Sequence, residues 1–255
     1  MRPTHIPRAN LLGVQVSTLS FSQTVEQVAQ TIATDQRLSV SPSPVYTIMQ
    51  GCERPAVRVA LNANLVTPDG MPVVWALRLL GHSAERVYGP DLMQAVCQRS
   101  VVEGWRHYFY GGAPGVPELL AAALQKKFMG LRVAGLESPP FRTLTTEEDA
   151  TMVNRLNESG AQIVWVGLGS PKQDVWMFEH RPQLTAPVLI AVGAAFDFYA
   201  GRMRQAPRWM QRSGLEWVFR LGSEPGRLWR RYLIYNPKFV FNVGLQIFRV
   251  RTFPH

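Results

Sequence analysis

A chain of 255 residues fits one α/β domain of ordinary size with a small appendage, and hydrophobic residues at 46% exclude wholesale disorder. A formal charge of +9 points to an anionic partner, for which nucleic acid, phospholipid and a phosphate-bearing substrate all qualify. The two cysteines, Cys52 and Cys97, form neither a CxxC motif nor a disulfide framework, which suits a reducing cytosol. The opening MRPTHIPRANLLGVQV has no secretory apolar run, and no stretch approaches the roughly 20 apolar residues that span a bilayer, so the expectation is a soluble or surface-bound protein.

Residues 11–16 (LLGVQV) read as a short strand. Ser22 is placed to cap a helix over 23–35, where Val25, Val28, Ala29 and Ile32 fall at helical spacing. Val45–Met49 reads as a buried strand, followed by polar GCERP and a helix from about Pro55. In TPDGMPVVWALRLLG a Pro-Asp-Gly turn leads into an apolar helix, and YGPD at 88–91 opens another. Strand and helix then alternate. His107–Tyr110 is a strand ending in GGAPGV, 117–129 a helix, and Leu131–Ala134 a strand. Thr145 and Glu148 form a capping box ahead of a helix over 146–158. Ile163–Val166 is a strand ending in GLGSPKQ, 172–179 a helix, and Val188–Val192 a strand ending in GAAFDFYAG.

Strands separated by helices predict an α/β fold with a largely parallel sheet. Ligands bind such sheets outside the carboxyl ends of the strands, where GGAPG, GLGSP and GAAFD all fall. From about Arg202 the texture changes. RMRQAPRWMQRSGLEWVFRLGSEPGRLWRRYLIYNPKFVFNVGLQIFRVR interleaves arginines with Trp209, Trp217, Phe219, Trp229, Tyr232, Tyr235 and Phe239. The expected organisation is a domain over 1–201 and a helical appendage over 202–255.

Glycines in YGGAPG (Gly111, Gly112) and GLGSPKQ (Gly167, Gly169, with Lys172) could let backbone N–H groups approach a phosphate, or could simply punctuate turns. Neither turn completes a known nucleotide fingerprint. The scattered histidines form no HxxxH pair, and there is no DxD pair to hold a divalent cation, so no metal is expected. Without one, arginine forks would have to balance a diphosphate, and Arg220, Arg227, Arg230 and Arg231 are spaced to share a helix face. A membrane anchor with tryptophans at headgroup level and a plain solvated face fit those arginines equally well. Asp69 in TPDG is either a turn or N-cap aspartate, or a general base at a cleft; Asp197, flanked by aromatics in AFDF, needs a partner or ligand. No GxSxG elbow appears, which argues against a hydrolase.

TPDGMPVVWA, ERVYGPDLM, FYGGAPGV, VGLGSPKQDVWM, VGAAFDFYAG, RQAPRWM and GLEWVFRLGSEPGRLWRRYL occur in order over about 45–235. Together they resemble the WecG/TagA/CpsF glycosyltransferases. The resemblance implies a Rossmann-like, largely parallel sheet with helices on both faces and a C-terminal helical appendage that favours membrane association and completes the active site. It implies a metal-independent inverting transferase without a cofactor. Such an enzyme moves a sugar from a UDP-sugar (UDP-N-acetylmannosamine, its uronic acid, or UDP-glucose) to an undecaprenyl-diphosphate-linked saccharide in cell-surface polysaccharide synthesis, such as exopolysaccharide or teichoic acid. By position, Asp69 matches the general base and Thr47 a threonine on the preceding strand, while Arg86 and Gln173 match polar residues of the cleft. Asp197 matches a position beside the nucleotide, and the appendage arginines match the diphosphate-holding groups. Where the family often has TxN, this chain reads Thr47-Ile48-Met49-Gln50.

On that reading Asp69 takes the proton of the acceptor hydroxyl, and an aspartate of ordinary pKa is ionised at neutral pH without tuning. The expected setting is the cytoplasmic side of the plasma membrane, peripheral on an anionic surface, with self-association possible. A basic nucleic-acid-binding module, the rival from another class, would leave the TPDG and SPKQ turns without a use, so no nucleic-acid partner is expected. A membrane-bound non-enzymatic scaffold, the second rival, is opposed by the presence of Asp69, Arg86 and Gln173.

Overall fold

The computed structural model describes residues 6–254. In chain order the first elements are strands β1 (Arg8–Leu11) and β2 (Val14–Ser17), helix α1 (Phe21–Ala33), β3 (Leu38–Ser43), α2 (Val45–Glu53), α3 (Pro55–Ala63), β4 (Leu65–Pro68) and α4 (Met71–Leu79). Then come α5 (Gly89–Glu103), β5 (Arg106–Gly111), α6 (Val116–Lys127), β6 (Arg132–Glu137), α7 (Thr146–Glu158), β7 (Ile163–Gly167), α8 (Lys172–His180), β8 (Val188–Ala191) and α9 (Ala195–Tyr199). The chain finishes with α10 (Arg208–Arg212), α11 (Glu216–Ser223), α12 (Pro225–Leu233) and α13 (Tyr235–Ile247). The fold is α/β with mostly parallel strand pairing, as expected.

The chain divides into two compact units. The second comprises Val25–Ser41 and Gly89–Arg204 and contains the regular α/β alternation. Its strands run β3-β8-β7-β5-β6, and every pairing among them is parallel. The strands Val188–Ala191 and Ile163–Val166 are apolar throughout and buried, the signature of strands covered on both faces. One side of this sheet carries a core of Tyr110, Val164, Val166, Leu189, Trp176 and Met177, joined by Met152 and Leu156 from α7. The Thr145 and Glu148 capping box forms as predicted, with Glu148 N–H donating to Thr145 Oγ1 at 3.2 Å and Thr145 N–H donating to Glu148 Oε2 at 2.9 Å.

The first unit comprises the described residues up to Thr24, Pro42–Tyr88 and Gln205 onward. The helices of the 202–255 segment thus group with the stretch that carries the Pro-Asp-Gly turn. Here the single strand expected over 11–16 is an antiparallel hairpin, β1 paired with β2, whose turn places Leu12 and Gly13 at φ 55 and 88. Strand β2 pairs in parallel with β4, and β4 is buried at all its residues. The C-terminal segment is tied to the hairpin: Gln246 Oε1 accepts from Leu12 N–H at 2.9 Å and Gln246 Nε2 donates to Asn10 O at 2.8 Å.

Two expectations are corrected. Val45–Met49 is the start of α2, not a strand; the strand lies just before it, at β3. LSVSPS reads as polar, yet Ser39, Ser41 and Ser43 are all buried, and the serines masked a strand that the β-branched VYTIM segment imitated. The cap of α1 is also shifted: Ser20, not Ser22, accepts from Gln23 N–H at 3.2 Å, while Gln23 Oε1 accepts from Ser20 N–H at 2.8 Å.

Candidate active site

Strand β4 delivers the chain to Asp69 with its backbone already committed. Asp69 N–H donates to Ser43 O at 3.2 Å, and Val87 N–H donates to Pro68 O at 2.9 Å. Gly70 then turns the chain sharply at φ 118, a conformation that disfavours any side chain. The residue capping α4 is Gly70, with Pro72 in the first turn, and no side chain accepts a capping hydrogen bond. The Asp69 carboxylate is therefore not spent on the helix it precedes.

It sits half-buried among charges instead. Burial pushes its carboxyl up to about 7, and the nearby Glu216 pushes it the same way, while Arg86, Arg220 and Arg231 pull it down. The expected ordinary aspartate is thus corrected: desolvation outweighs the combined pull of the guanidinium groups. A group that changes charge near neutral pH can both accept and release a proton there.

Arg86 is fixed on several sides. Its Nη2 donates to Glu216 Oε2 at 2.6 Å, its Nη1 donates to Gln211 Oε1 at 3.1 Å, and its guanidinium lies 3.9 Å from the Tyr88 ring centroid. Tyr88 O–H donates to the other Glu216 oxygen at 3.1 Å. Burial, with Glu216 and Asp69 beside it, raises the Tyr88 hydroxyl well above its usual range, so it stays a donor. Nε of Arg86 is buried without a hydrogen-bond partner among the described residues.

The arginines expected to hold a diphosphate divide into two pairs. Arg220 and Arg231 act electrostatically on Asp69. Arg231 packs over the Tyr46 ring at 4.3 Å, and burial lowers its pKa from the usual arginine value. Tyr46 is braced edge-on by Tyr235 at 5.0 Å. Arg227 instead pairs with Glu224, with Nε 2.6 Å from Oε2, and its side chain is 60% exposed. Arg230 is exposed beside Trp229, 5.2 Å from that ring centroid. Arg86, Arg220 and Arg231 act directly on Asp69, whereas Arg227 acts on Arg231 and Arg230 stands beside Trp229. Thr47, corrected from strand to the first turn of α2, is 1% exposed and held in the core. Met49, where TxN would put asparagine, is fully buried.

In the second unit the small-residue turns do follow the carboxyl ends of parallel strands. Gly111 closes β5 and Gly167 closes β7, and the two are register partners. A Cβ on Gly111 would lie 2.5 Å from the Gly167 carbonyl carbon, and one on Gly167 would lie 2.9 Å from the Phe196 ring. Gly112 N–H donates to Gly167 O at 3.0 Å, and its own missing Cβ leaves room for Val116. These three glycines are required by close packing. Gly169, at φ 78 with nothing within 4 Å of a built Cβ, faces open space. Its N–H donates to Gln173 Oε1 at 3.1 Å, so Gln173, 4% exposed, braces the turn. Lys172 is exposed at the start of α8, and Asp197 is half-buried in α9.

Sequence reasoning missed Glu216, Tyr88, Gln211 and Tyr46. In the sequence Glu216 is simply one of two acids, with Glu224, in a basic segment. It also missed Asp174, 1% exposed, which accepts hydrogen bonds from Ser41 Oγ and, at 3.1 Å, from Ser170 Oγ. A fully buried carboxylate one residue past Gln173 has no signal in spacing alone.

A carboxylate poised near neutrality beside converging arginines defines a site suited to general-base chemistry on an anionic substrate. Residues 9–252 match the Glycosyl transferase WecG/TagA/CpsF family, and the chain belongs to that family of glycosyltransferases.

Proposed function

We propose that the protein is an inverting, UDP-sugar-dependent hexosyltransferase acting on an undecaprenyl-diphosphate-linked saccharide in cell-surface polysaccharide synthesis. The observation that carries this reading is the Asp69 carboxylate, raised to about 7 by burial while Arg86, Arg220 and Arg231 surround it. Asp69 accepts the proton of an acceptor hydroxyl as its oxygen attacks the anomeric carbon opposite the UDP. The C–O bond to the diphosphate breaks, and the electron pair leaves with UDP. Arg220 and Arg231 stabilise the charge that develops there, a contribution worth roughly 3 kcal/mol when one such donor is removed.

The charges of Arg86, Arg220 and Arg231 near Asp69 support a metal-independent route, in which guanidinium groups balance the diphosphate in place of a cation. Among the described residues no three His, Cys, Asp or Glu side chains gather in a metal-holding group. Peripheral attachment to an anionic inner membrane face is supported by exposed Trp209, Trp229, Phe241 and Phe248 interspersed with arginines; among the described residues no helix is long and apolar enough to cross a bilayer.

A donor screen tests the reading. Purified protein is incubated with several UDP-sugars and a short-chain lipid-diphosphate saccharide, without divalent metal, and UDP release is followed. Acceptor-dependent release with one donor is expected. Release that needs added metal, or none from folded protein with any donor, overturns the proposal.

A further inference from the structure

We infer that Glu216 is a positioning residue, whose carboxylate bridges Arg86 and Tyr88 to hold the Arg86 guanidinium, and the α11 face that carries Arg220, against the Asp69 turn. The inference rests on the reading of Asp69 as the proton acceptor, and extends it to a residue that never touches substrate.

The geometry is that of a built contact. The Arg86–Glu216 pair is short, at 2.6 Å, and both side chains are largely shielded, 14% and 19% exposed. Glu216 uses its two oxygens for different partners, Oε2 for Arg86 and Oε1 for Tyr88. Tyr88 in turn supports the face of the same guanidinium at 3.9 Å, so the three side chains form a closed triangle. A shielded ion pair with a second hydrogen bond on the carboxylate is a far stronger positional restraint than an exposed pair.

Glu216 opens α11, and Arg220 lies one turn further along the same face. Fixing the first turn therefore aims Arg220. An acid is also suited to the first turn of a helix, where it meets the positive end of the dipole. The placement is otherwise costly for the reaction proposed, because a carboxylate beside a diphosphate site repels the substrate. Its presence there fits a part that sets geometry and charge.

The charged and titratable groups facing Asp69 are Arg86 and Tyr88 from the segment after α4, Glu216 and Arg220 from α11, and Arg231 from α12. Within that set Glu216 is the one acid, and it favours the protonated form of Asp69. Removing its charge and moving its charge must therefore have different consequences, which separates positioning from a merely structural contribution.

The test is a pair of variants in the full chain, E216Q and E216D, read by NMR titration of isotope-labelled aspartate and by the pH profile of UDP release. E216Q keeps the shape but removes the charge, so the Asp69 midpoint falls by about half a pH unit or more, and the acidic limb of the rate moves with it. E216D keeps the charge but shortens the reach, so the midpoint stays near that of the parent while kcat falls about tenfold or more, the order expected when a positioned group is displaced. An unmoved midpoint in folded E216Q, or parental kcat in E216D, overturns the inference. A midpoint that moves in E216Q while no donor is ever turned over leaves the electrostatic arm standing and removes the transfer reaction, so the two failures are distinguishable.

Discussion

The guanidinium of Arg231 lies 4.3 Å over the ring of Tyr46, and Tyr235, near the start of the following helix, meets that ring edge-on at 5.0 Å. A half-buried cation is thereby held on an aromatic face, from which its charge acts on Asp69. Tyr46→Leu removes the aromatic face and is expected to cost about 1 kcal/mol of stability. Tyr46→Phe keeps it and is expected to retain both stability and turnover. Thermal melts and UDP-release rates on the two variants check this.

The elevated carboxyl of Asp69 predicts a rate that rises with pH through about 7, since only the ionised form accepts a proton. Asp69→Asn should abolish turnover while sparing UDP binding by calorimetry. The same variant carries a stability signature. A carboxyl raised in the folded state binds its proton more tightly there than in the unfolded chain. Its stabilising contribution is full below the unfolded value of 3.8 and is lost as pH rises toward 7. Asp69→Asn is therefore expected to be more stable than the parent at pH 8, by about 2 kcal/mol after discounting for partial exposure, with the gap closing toward pH 4. Urea melts at both pH values measure it.

The division among the appendage arginines gives a third expectation. Arg220→Ala and Arg231→Ala each remove a charge that acts on Asp69 and should lower kcat/KM about a hundredfold. Arg227→Ala breaks an exposed pair with Glu224 and removes a charge that reaches Asp69 only through Arg231, so it should change stability by less than about 0.5 kcal/mol and leave kcat within about twofold. Equal losses in all three variants would show that the arginines act as a diffuse surface.

Two glycines in the second unit should behave oppositely. Gly111→Ala forces a Cβ to 2.5 Å from the backbone of β7 and should cost about 3 kcal/mol or more. Gly169→Ala meets nothing within 4 Å and bears only the strain of φ 78, about 1–2 kcal/mol. Denaturant midpoints of the two variants decide the matter.

The α/β alternation from residue 105 onward was readable because β7 and β8 are apolar runs, α6 has Pro117 in its first turn and α7 carries its own capping box at Thr145 and Glu148. The region before it was harder. β3 hides behind buried serines, and α2 opens with β-branched and aromatic residues that tertiary packing holds in a helix. At the candidate site, Asp69 and Arg86 stood out through their motifs, and Arg220 and Arg231 through composition. Which arginines turn inward was not legible, because one face of α12 can meet either solvent or Tyr46 with the same spacing. Glu216 was invisible as a partner of Arg86, since the pair is 130 residues apart and no local pattern links them. The raised carboxyl of Asp69 depends on burial, which exists only after the chain has folded.

The first unit draws on stretches from both ends of the sequence, with Asp69 and Arg86 on one and Glu216, Arg220 and Arg231 on the other. During synthesis the turn carrying Asp69 leaves the ribosome long before its partners exist. Gly89–Arg204, the larger part of the second unit, emerges in the interval, so that unit can fold before Glu216, Arg220 and Arg231 act on the carboxylate. The full set of charges acting on the proton-accepting group is complete only when the last quarter of the chain is released. A truncated translation product ending before Glu216 would contain every residue of the α/β alternation and yet keep, of the charges that act on Asp69, Arg86 alone.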